Sequence, residues 1–232
     1  MTQDNDNLVI AQVTDIHISP TEATYRDINV RQQFLDVVDT LASKPLDLLV
    51  LSGDLAAYSG EIEAYLWIKQ ALTLLPYPYV VMAGNHDNVA HLSKVFELSQ
   101  DDRLADGSLC FSRIVRQRRL LFLDSSPNQV SKAQLDWLHA QLSREQQPVL
   151  VFIHHPPWRC GCQFMDKCYP LENRETVWPI LAQFPSIQHI FCGHYHTEKT
   201  VIHQGKSIHI TPATTFQINP DTADFMIAHT RP

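Results

Sequence analysis

Short apolar runs recur along the chain, and segments with apolar residues at helical spacing separate them. The runs cover residues 8–13, 46–51, 79–82, 119–123, 149–153 and 187–192, each of strand length. The helical candidates cover residues 30–42, 62–75, 90–98, 132–142 and 174–184. In the first of these Phe34, Leu35, Val38 and Leu41 recur at helical spacing. Ser131 stands before 132–142 as an N-cap, and Leu135, Leu138 and Leu142 share one face behind it. From about residue 200 the pattern turns strand-like. Thr200-Val201-Ile202-His203 leads to a Gln204-Gly205 turn, then Ser207-Ile208-His209-Ile210, and a last run covers 225–229. The alternation predicts an α/β protein with a largely parallel sheet and a more antiparallel C-terminal part. No repeat, low-complexity tract or linker-like stretch divides the chain, so residues 1–232 read as one domain.

Five of the apolar runs end in residues that can bind a cation. They close on Asp15-Ile16-His17, Gly53-Asp54, Gly84-Asn85-His86-Asp87, His154-His155-Pro156 and Gly193-His194-Tyr195-His196. Ligands of open α/β sheets bind beyond the carboxyl ends of the strands, so these clusters can converge on one site. Asp15 and His17 stand two apart, as do His194 and His196, so each pair can point to one side of an extended segment. Asp54 is a lone carboxylate after a glycine turn, suited to bridge two ions, and Asn85 offers a neutral oxygen. Taken singly, Asp-x-His and Gly-Asp are weak signals, since either can be a cap or a turn. Together they predict a two-metal centre of mixed oxygen and imidazole donors, which favours Mn, Fe, Zn or Co over Ca or Mg. Two such ions, typically about 3.5–4 Å apart, clamp a phosphoryl group and activate water.

Composition narrows the picture. Charged residues make up 19% and hydrophobic ones 44% of the chain, the balance of a soluble globular protein. No apolar run approaches the ~18 residues of a membrane span. The stretch from Met1 to Asn7 is polar, without the basic and apolar segments of a secretory signal. A net charge of −7 argues against a nucleic-acid partner. Arg113, Arg116, Arg118 and Arg119 form the nearest thing to a basic stripe and read as a solvated strand edge or loop. An acidic protein acting on an anion needs a local positive source, and bound metal supplies one. The glycine count of seven is low, yet Gly53, Gly84 and Gly193 each stand beside a polar cluster. Of five cysteines, Cys110 and Cys192 read as buried thiols; Cys160, Cys162 and Cys168 lack a usual zinc spacing and read as free thiols, with a disulfide among them left open. Free thiols suit a reducing cytoplasm.

The ordered series Asp15-x-His17, Gly53-Asp54, Gly84-Asn85-His86-Asp87, His154 and Gly193-His194-x-His196 resembles the calcineurin-like metallophosphoesterases, over roughly residues 8–215. The resemblance implies a four-layer α/β/β/α sandwich of two mixed sheets flanked by helices. Within that superfamily the chain looks most like the bacterial class III 3′,5′-cyclic-AMP phosphodiesterases. It keeps His86, which lipid A pathway pyrophosphatases replace by Arg. The segment from His154-His155-Pro156-Pro157 through Cys160 to Asp166, Leu171 and Asn173 matches that group, as does the closing pocket stretch Thr211 to Gln217.

Carried over residue by residue, the resemblance assigns one metal to Asp15, His17, Asp54 and His196. It assigns the other to Asp54, Asn85, His154 and His194, with Asp54 bridging. Of the pair His154-His155, the first is read as the ligand and His155 as standing behind it, with a ligand role for His155 left open. His86 would orient the phosphate or protonate the leaving alkoxide, and Asp87 would support His86. A metal-activated hydroxide would attack a cyclic phosphodiester in line with the 3′ oxygen and release a 5′ nucleotide. The pocket would be set by the loops at 25–29 and 158–169, with Trp158 a candidate lining residue. His91, His139, His189, His203, His209 and His229 read as surface or locally bonded, and Trp67 and Trp137 as packing residues. The expected partner is a small-molecule phosphodiester, a cyclic nucleotide. Many members of the group carry a C-terminal extension beyond the end of this chain, so a homodimer stays open. Another phosphodiester, a pyrophosphate or a phosphomonoester remains the alternative substrate. A non-catalytic scaffold is the remote alternative, since scaffolds of this kind lose ligands that are all present here.

Overall fold

Three fully or partly buried apolar runs, β1 (Ile10–Val13), β2 (Leu48–Ser52) and β3 (Tyr79–Met82), pair in parallel in the order β1-β2-β3 in the computed structural model, which describes residues 7–229. The polar stretch read above over residues 1–6 lies outside the described residues. Every residue of the central strand β2 is buried, as a parallel strand covered on both faces requires. The crossovers are α1 (Val30–Ala42) and α2 (Ile62–Leu72), and α3 (Val89–Phe96) follows β3. Local chemistry starts α1 and α3: the Asn29 side chain accepts from Gln32 N and the Asn88 side chain from Ala90 N and His91 N. α1 packs on α2, and α2 on α3, along the outer side of this sheet.

A second, six-stranded sheet follows. Its strands are β4 (Phe111–Val115), β5 (Arg118–Leu123), β6 (Val149–Ile153), β7 (Ile187–Cys192), β8 (Lys199–His203) and β9 (Lys206–Ile210), in the order β4-β5-β6-β7-β9-β8. β5-β6-β7-β9 run parallel, and β4 and β8 add antiparallel edges through two-residue turns. Both turns have two central residues with positive φ, Arg116-Gln117 and the expected Gln204-Gly205. α4 (Lys132–Leu142), capped by Ser131 as its spacing predicts, packs on α6 (Arg174–Gln183) outside this sheet. The short helix α5 (Gln163–Cys168) and the ribbon of β10 (Gln217–Ile218) and β11 (Ile227–His229) complete the fold. The expected layering of helices on both outer faces of two sheets is present. The larger sheet is mixed, and β1 to β3 are wholly parallel.

The inner face of the large sheet carries a ladder of rings across neighbouring strands. Phe111, Phe122, Phe152, Phe191 and His209 are successive register partners, with ring centroids 4.6, 5.2, 5.1 and 4.9 Å apart. Each such pair contributes on the order of 0.5–1.5 kcal/mol beyond the area it buries. Gln12 on β1 ties the two sheets, donating to Ser52 Oγ on β2 and to Cys192 O on β7.

The arginine stripe is neutralised locally: Arg113 pairs with Asp102, Arg116 with Asp47 and Arg119 with Glu145, while Arg118 is exposed. All five cysteines are free thiols, and only Cys168 is exposed. No helix among the described residues is long and apolar enough to cross a membrane.

Candidate metal centre

Each ligand motif begins where a buried apolar strand stops and the backbone turns sharply. Asp15, His17, Asp54, His194 and His196 all adopt positive φ, between 44° and 64°. This left-handed region is costly for residues other than glycine, and such strain concentrates at functional sites. Backbone bonds hold it in place: Asp15 N donates to Gly53 O, His17 N to Asp54 O, and Gly193 N to His154 O. Two glycines leave the space the carboxylates need. A Cβ on Gly193 would stand 2.7 Å from Asp15 Oδ2, and one on Gly84 would stand 2.7 Å from His154 Nε2.

The strand ends bring the predicted carboxylate and imidazole ligands together. The ligand atoms of Asp15, His17 and His196 lie within 4.8 Å of one another, and so do those of Asp54, His154 and His194. Asp54 reaches both groups, with Oδ1 3.4 Å from His154 Nε2 and Oδ2 3.8 Å from His17 Nε2. Asp15 Oδ1 lies 3.3 Å from His196 Nε2 and 3.8 Å from His154 Nε2.

Backbone carbonyls set the ring orientations. His154 Nδ1 donates to Ser52 O at 2.8 Å and His196 Nδ1 to Phe216 O at 2.9 Å, so both present Nε2. His194 is held the other way, donating from Nε2 to Tyr169 O at 2.9 Å and presenting Nδ1. Carbonyl partners of this kind fix the tautomer of a metal-binding imidazole.

The donor set fits cations. Asp15 Oδ1, Asn85 Oδ1 and His154 Nε2 are buried and make no hydrogen bond within the chain. Buried polar atoms without partners are costly, and cations bound at the two groups would satisfy them. Burial pushes the His17 and His194 rings down to about 3 and about 4, so both offer a lone pair at neutral pH. Burial opposes ionisation of Asp15 and Asp54 as well, yet the neighbouring imidazoles hold both carboxyls low, Asp15 at about 2. Burial also opposes a charge on His154, but Asp54 beside it wins and lifts the ring to about 9. That proton sits where two carboxylates converge, the position a metal ion would claim.

Beside the ligands, His86 Nδ1 donates to Ala57 O at 2.9 Å, which leaves Nε2 toward the cavity. His155 stands behind His194, ring centroids 4.0 Å apart, with Nδ1 on Ser125 Oγ. The expected support of His86 by Asp87 takes the form of a braced turn and not of a bond to the ring. The Asp87 carboxylate accepts from Gly84 N, Leu55 N, Ala56 N and Tyr65 Oη, all within 3.1 Å. These donors take up its oxygens, so it braces the two motif turns instead of touching the ring. Burial, then Asp54, push its carboxyl up to about 6.

A cavity of about 280 Å³ opens over these residues. Tyr25 and Arg26 from one expected loop line it, and Phe164, Met165 and Tyr169 from the other. Trp158 does not. Its ring stacks on His203 at 4.9 Å and lies tilted against Trp178 at 5.7 Å, so this side chain packs against β8 and α6. The stretch Thr211 to Gln217 reaches the cavity through Phe216, as irregular chain up to β10. The other expected bystanders lie elsewhere: His91 bonds Gly60 O, and His189 pairs with His209 at 3.0 Å on the large sheet.

The family model of the calcineurin-like phosphoesterases matches residues 8–198. The chain belongs to that family. A protein of Fibrobacter succinogenes named as a probable cyclic nucleotide phosphodiesterase is 37% identical, covering 97% of this chain and 87% of its own length. The 3′,5′-cyclic adenosine monophosphate phosphodiesterase CpdA of Escherichia coli is 27% identical over 94% of this chain and 80% of its own length. A glycerophosphodiester phosphodiesterase of Enterobacter lignolyticus is 32% identical over 91% and 79%. Among solved structures, a dimetal phosphatase from Danio rerio has the same fold, with a TM-score of 0.72, 16% identity and coverage of 97% of this chain and 93% of its own. The chain is thus a metal-dependent phosphoesterase, and its buried carboxylate and imidazole clusters are groups that could hold metal.

Proposed function

We propose that this phosphoesterase hydrolyses a 3′,5′-cyclic nucleotide, cyclic AMP to 5′-AMP, on a binuclear metal centre. The observation that carries the reading is the joining of two ligand groups through Asp54 at the floor of a cavity with aromatic walls. Asp15, His17, Asp54 and His196 would hold one ion, and Asp54, Asn85, His154 and His194 the other. The mix of carboxylate, amide and imidazole donors suits Mn, Fe, Zn or Co. When bound, such a pair supplies a strong oxygen nucleophile at neutral pH and withdraws charge from the phosphoryl oxygens.

The protein's own groups do the rest. The carbonyls of Ser52, Phe216 and Tyr169 keep three imidazoles in the tautomers that leave a lone pair inward. Ala57 O anchors His86 by Nδ1 and leaves Nε2 toward the cavity, so the doubly protonated ring would give its Nε2 proton to the departing 3′ oxygen as the P–O3′ bond breaks and be left neutral with Nδ1–H still on Ala57 O. Asp87 holds the turn that aims Asn85 and His86. In this reading residues 1–232 form one metallophosphoesterase domain acting in the cytoplasm on a small-molecule diester.

Turnover of 3′,5′-cyclic AMP by Mn-loaded protein tests the proposal, beside an aryl phosphodiester, a phosphomonoester and the variants His86→Ala and Asn85→Ala. The expected result is 5′-AMP formed at a kcat/KM of roughly 10⁴ M⁻¹s⁻¹ or more, lost in both variants. Aryl-diester cleavage without cyclic AMP turnover would keep the metal chemistry and overturn the substrate.

A further inference from the structure

The turn that carries Arg26 is built against backbone preference. Tyr25 and Ile28 exchange both backbone hydrogen bonds at 3.0 Å, and the two residues between them, Arg26 and Asp27, have φ of 50° and 64°. A tight turn of this kind prefers Asn and Gly at those positions. Arg26 occupies one of them and projects over the cavity mouth. Its guanidinium carbon lies 5.8 Å from the ring centre of Tyr25, 5.4 Å from Phe216 and 5.2 Å from Phe225. Among the described residues no carboxylate pairs with it.

The rings around it are held by separate elements. Phe216 lies 4.5 Å from the ligand His196. Phe225 stands edge-on to Phe164 of α5 at 5.8 Å and to Phe216 at 6.3 Å, yet remains 42% exposed. The loop bearing Phe225 is pinned to α5, since Gln163 N donates to Pro220 O and Gln163 Nε2 to Asp221 O. A large ring left open to water at a cavity lip, on an anchored loop, is a surface prepared for a flat partner.

We propose that Arg26 and Phe225, backed by Phe216 and Phe164, form a clamp that stacks the base of a nucleotide diester and turns away diesters with a cationic head group. This deepens the cyclic-nucleotide reading and rests on it. A base is flat and uncharged, and it can stack on a guanidinium plane as well as on an aromatic face. A quaternary ammonium also seeks aromatic faces. Here Arg26 already covers three of them, so a choline or ethanolamine ester would meet a like charge.

The test compares wild type, Phe225→Ala and Arg26→Met, all Mn-loaded, with bis(4-nitrophenyl) phosphate turnover as reporter. Inhibition constants for 5′-AMP and inorganic phosphate isolate what the nucleoside adds. Wild type is expected to bind 5′-AMP more tightly than phosphate. Phe225→Ala should shrink that preference by about 5- to 150-fold, the range for one base stacked on one ring, with the phosphate constant unchanged. Arg26→Met should raise kcat/KM for glycerophosphocholine relative to cyclic AMP. Equal affinity for 5′-AMP and phosphate in wild type, or an unchanged preference in both variants, would overturn the clamp. The outcomes separate the two readings. A nucleotide preference lost in the variants without cyclic AMP turnover keeps the clamp and overturns the cyclic substrate, and cyclic AMP turnover indifferent to both substitutions does the reverse.

Discussion

Replacing Asp87 should cost stability and activity together. Its carboxylate is the sole side-chain acceptor for three backbone N–H groups, those of Gly84 at 2.8 Å, Ala56 at 3.0 Å and Leu55 at 3.1 Å, and it also receives the Tyr65 hydroxyl at 2.9 Å. In Asp87→Asn one oxygen becomes an NH₂ group. Whichever way the amide turns, at least one donor then faces another donor, and a buried N–H left unpaired costs about 1–3 kcal/mol. Asp87→Ala removes every acceptor. The residue is only half-buried, so water can enter the space, and the loss should be about 3–5 kcal/mol and not the full sum over four donors. Tyr65→Phe removes one bond to Asp87 and one from Asn88 N, about 1 kcal/mol each. Urea unfolding of the single variants and of the pair gives the coupling, expected at about 0.5–3 kcal/mol for residues in contact. The turn 84–87 also carries Asn85 and His86, so kcat should fall further than KM rises. An Asp87→Asn protein within about 0.5 kcal/mol of wild type, with unchanged kcat, would refute the bracing role.

Gly193→Ala should abolish metal retention, because its Cβ would press on Asp15 Oδ2 and Thr14; metal content after gel filtration checks this, and a variant holding two ions per chain would contradict it. Stripping metal with a chelator should lower Tm, and Mn should restore it by the amount mass action gives, about 2.7 kcal/mol at 100 times Kd; a Tm indifferent to Mn would count against the buried atoms of Asp15, Asn85 and His154 as ligands. Asp47 is held below the usual carboxyl range by Val9 N–H and Arg116, and Asp106 by the Ser108 and Ser131 hydroxyls. A depressed folded-state value means their stabilisation is complete above about pH 4 and lost as pH falls below it. Asp106→Asn should therefore flatten the acid limb of a Tm–pH curve, and an unchanged limb would exclude that contribution.

The strands that were legible are those whose apolar runs stand alone between polar clusters. β3, β6 and β7 occupy the residues their patterns predict, as do α1 and α4, the latter with its expected Ser131 cap. β4 was not legible, because in the edge strand Phe111–Val115 two polar residues, Ser112 and Arg113, interrupt the apolar run. α5 was missed because its six residues, Gln163–Cys168, are too few to show helical spacing. α2 stops at Leu72, short of the apolar pattern that runs to Leu75.

The ligand set was written in residue type and order. A single carboxylate or imidazole after an apolar run can be a cap or a turn, but five such clusters in one chain point to a cation, because a parallel sheet delivers its strand ends to one place. What fixes their chemistry left no mark in the sequence. The acceptors that orient the imidazoles are backbone carbonyls of Ser52, Phe216 and Tyr169, which any residue type could supply. The contacts that complete the centre join residues as distant as His17 and His196, whose ring nitrogens lie 3.2 Å apart. Only the packed fold could decide that Asp87 braces two turns, that Trp158 leaves the pocket for Trp178 and His203, and that Arg26 comes to rest over the rings at the mouth of the site. Residue chemistry is local and survives in a linear chain, whereas position relative to a distant partner exists only once the sheets have closed on each other.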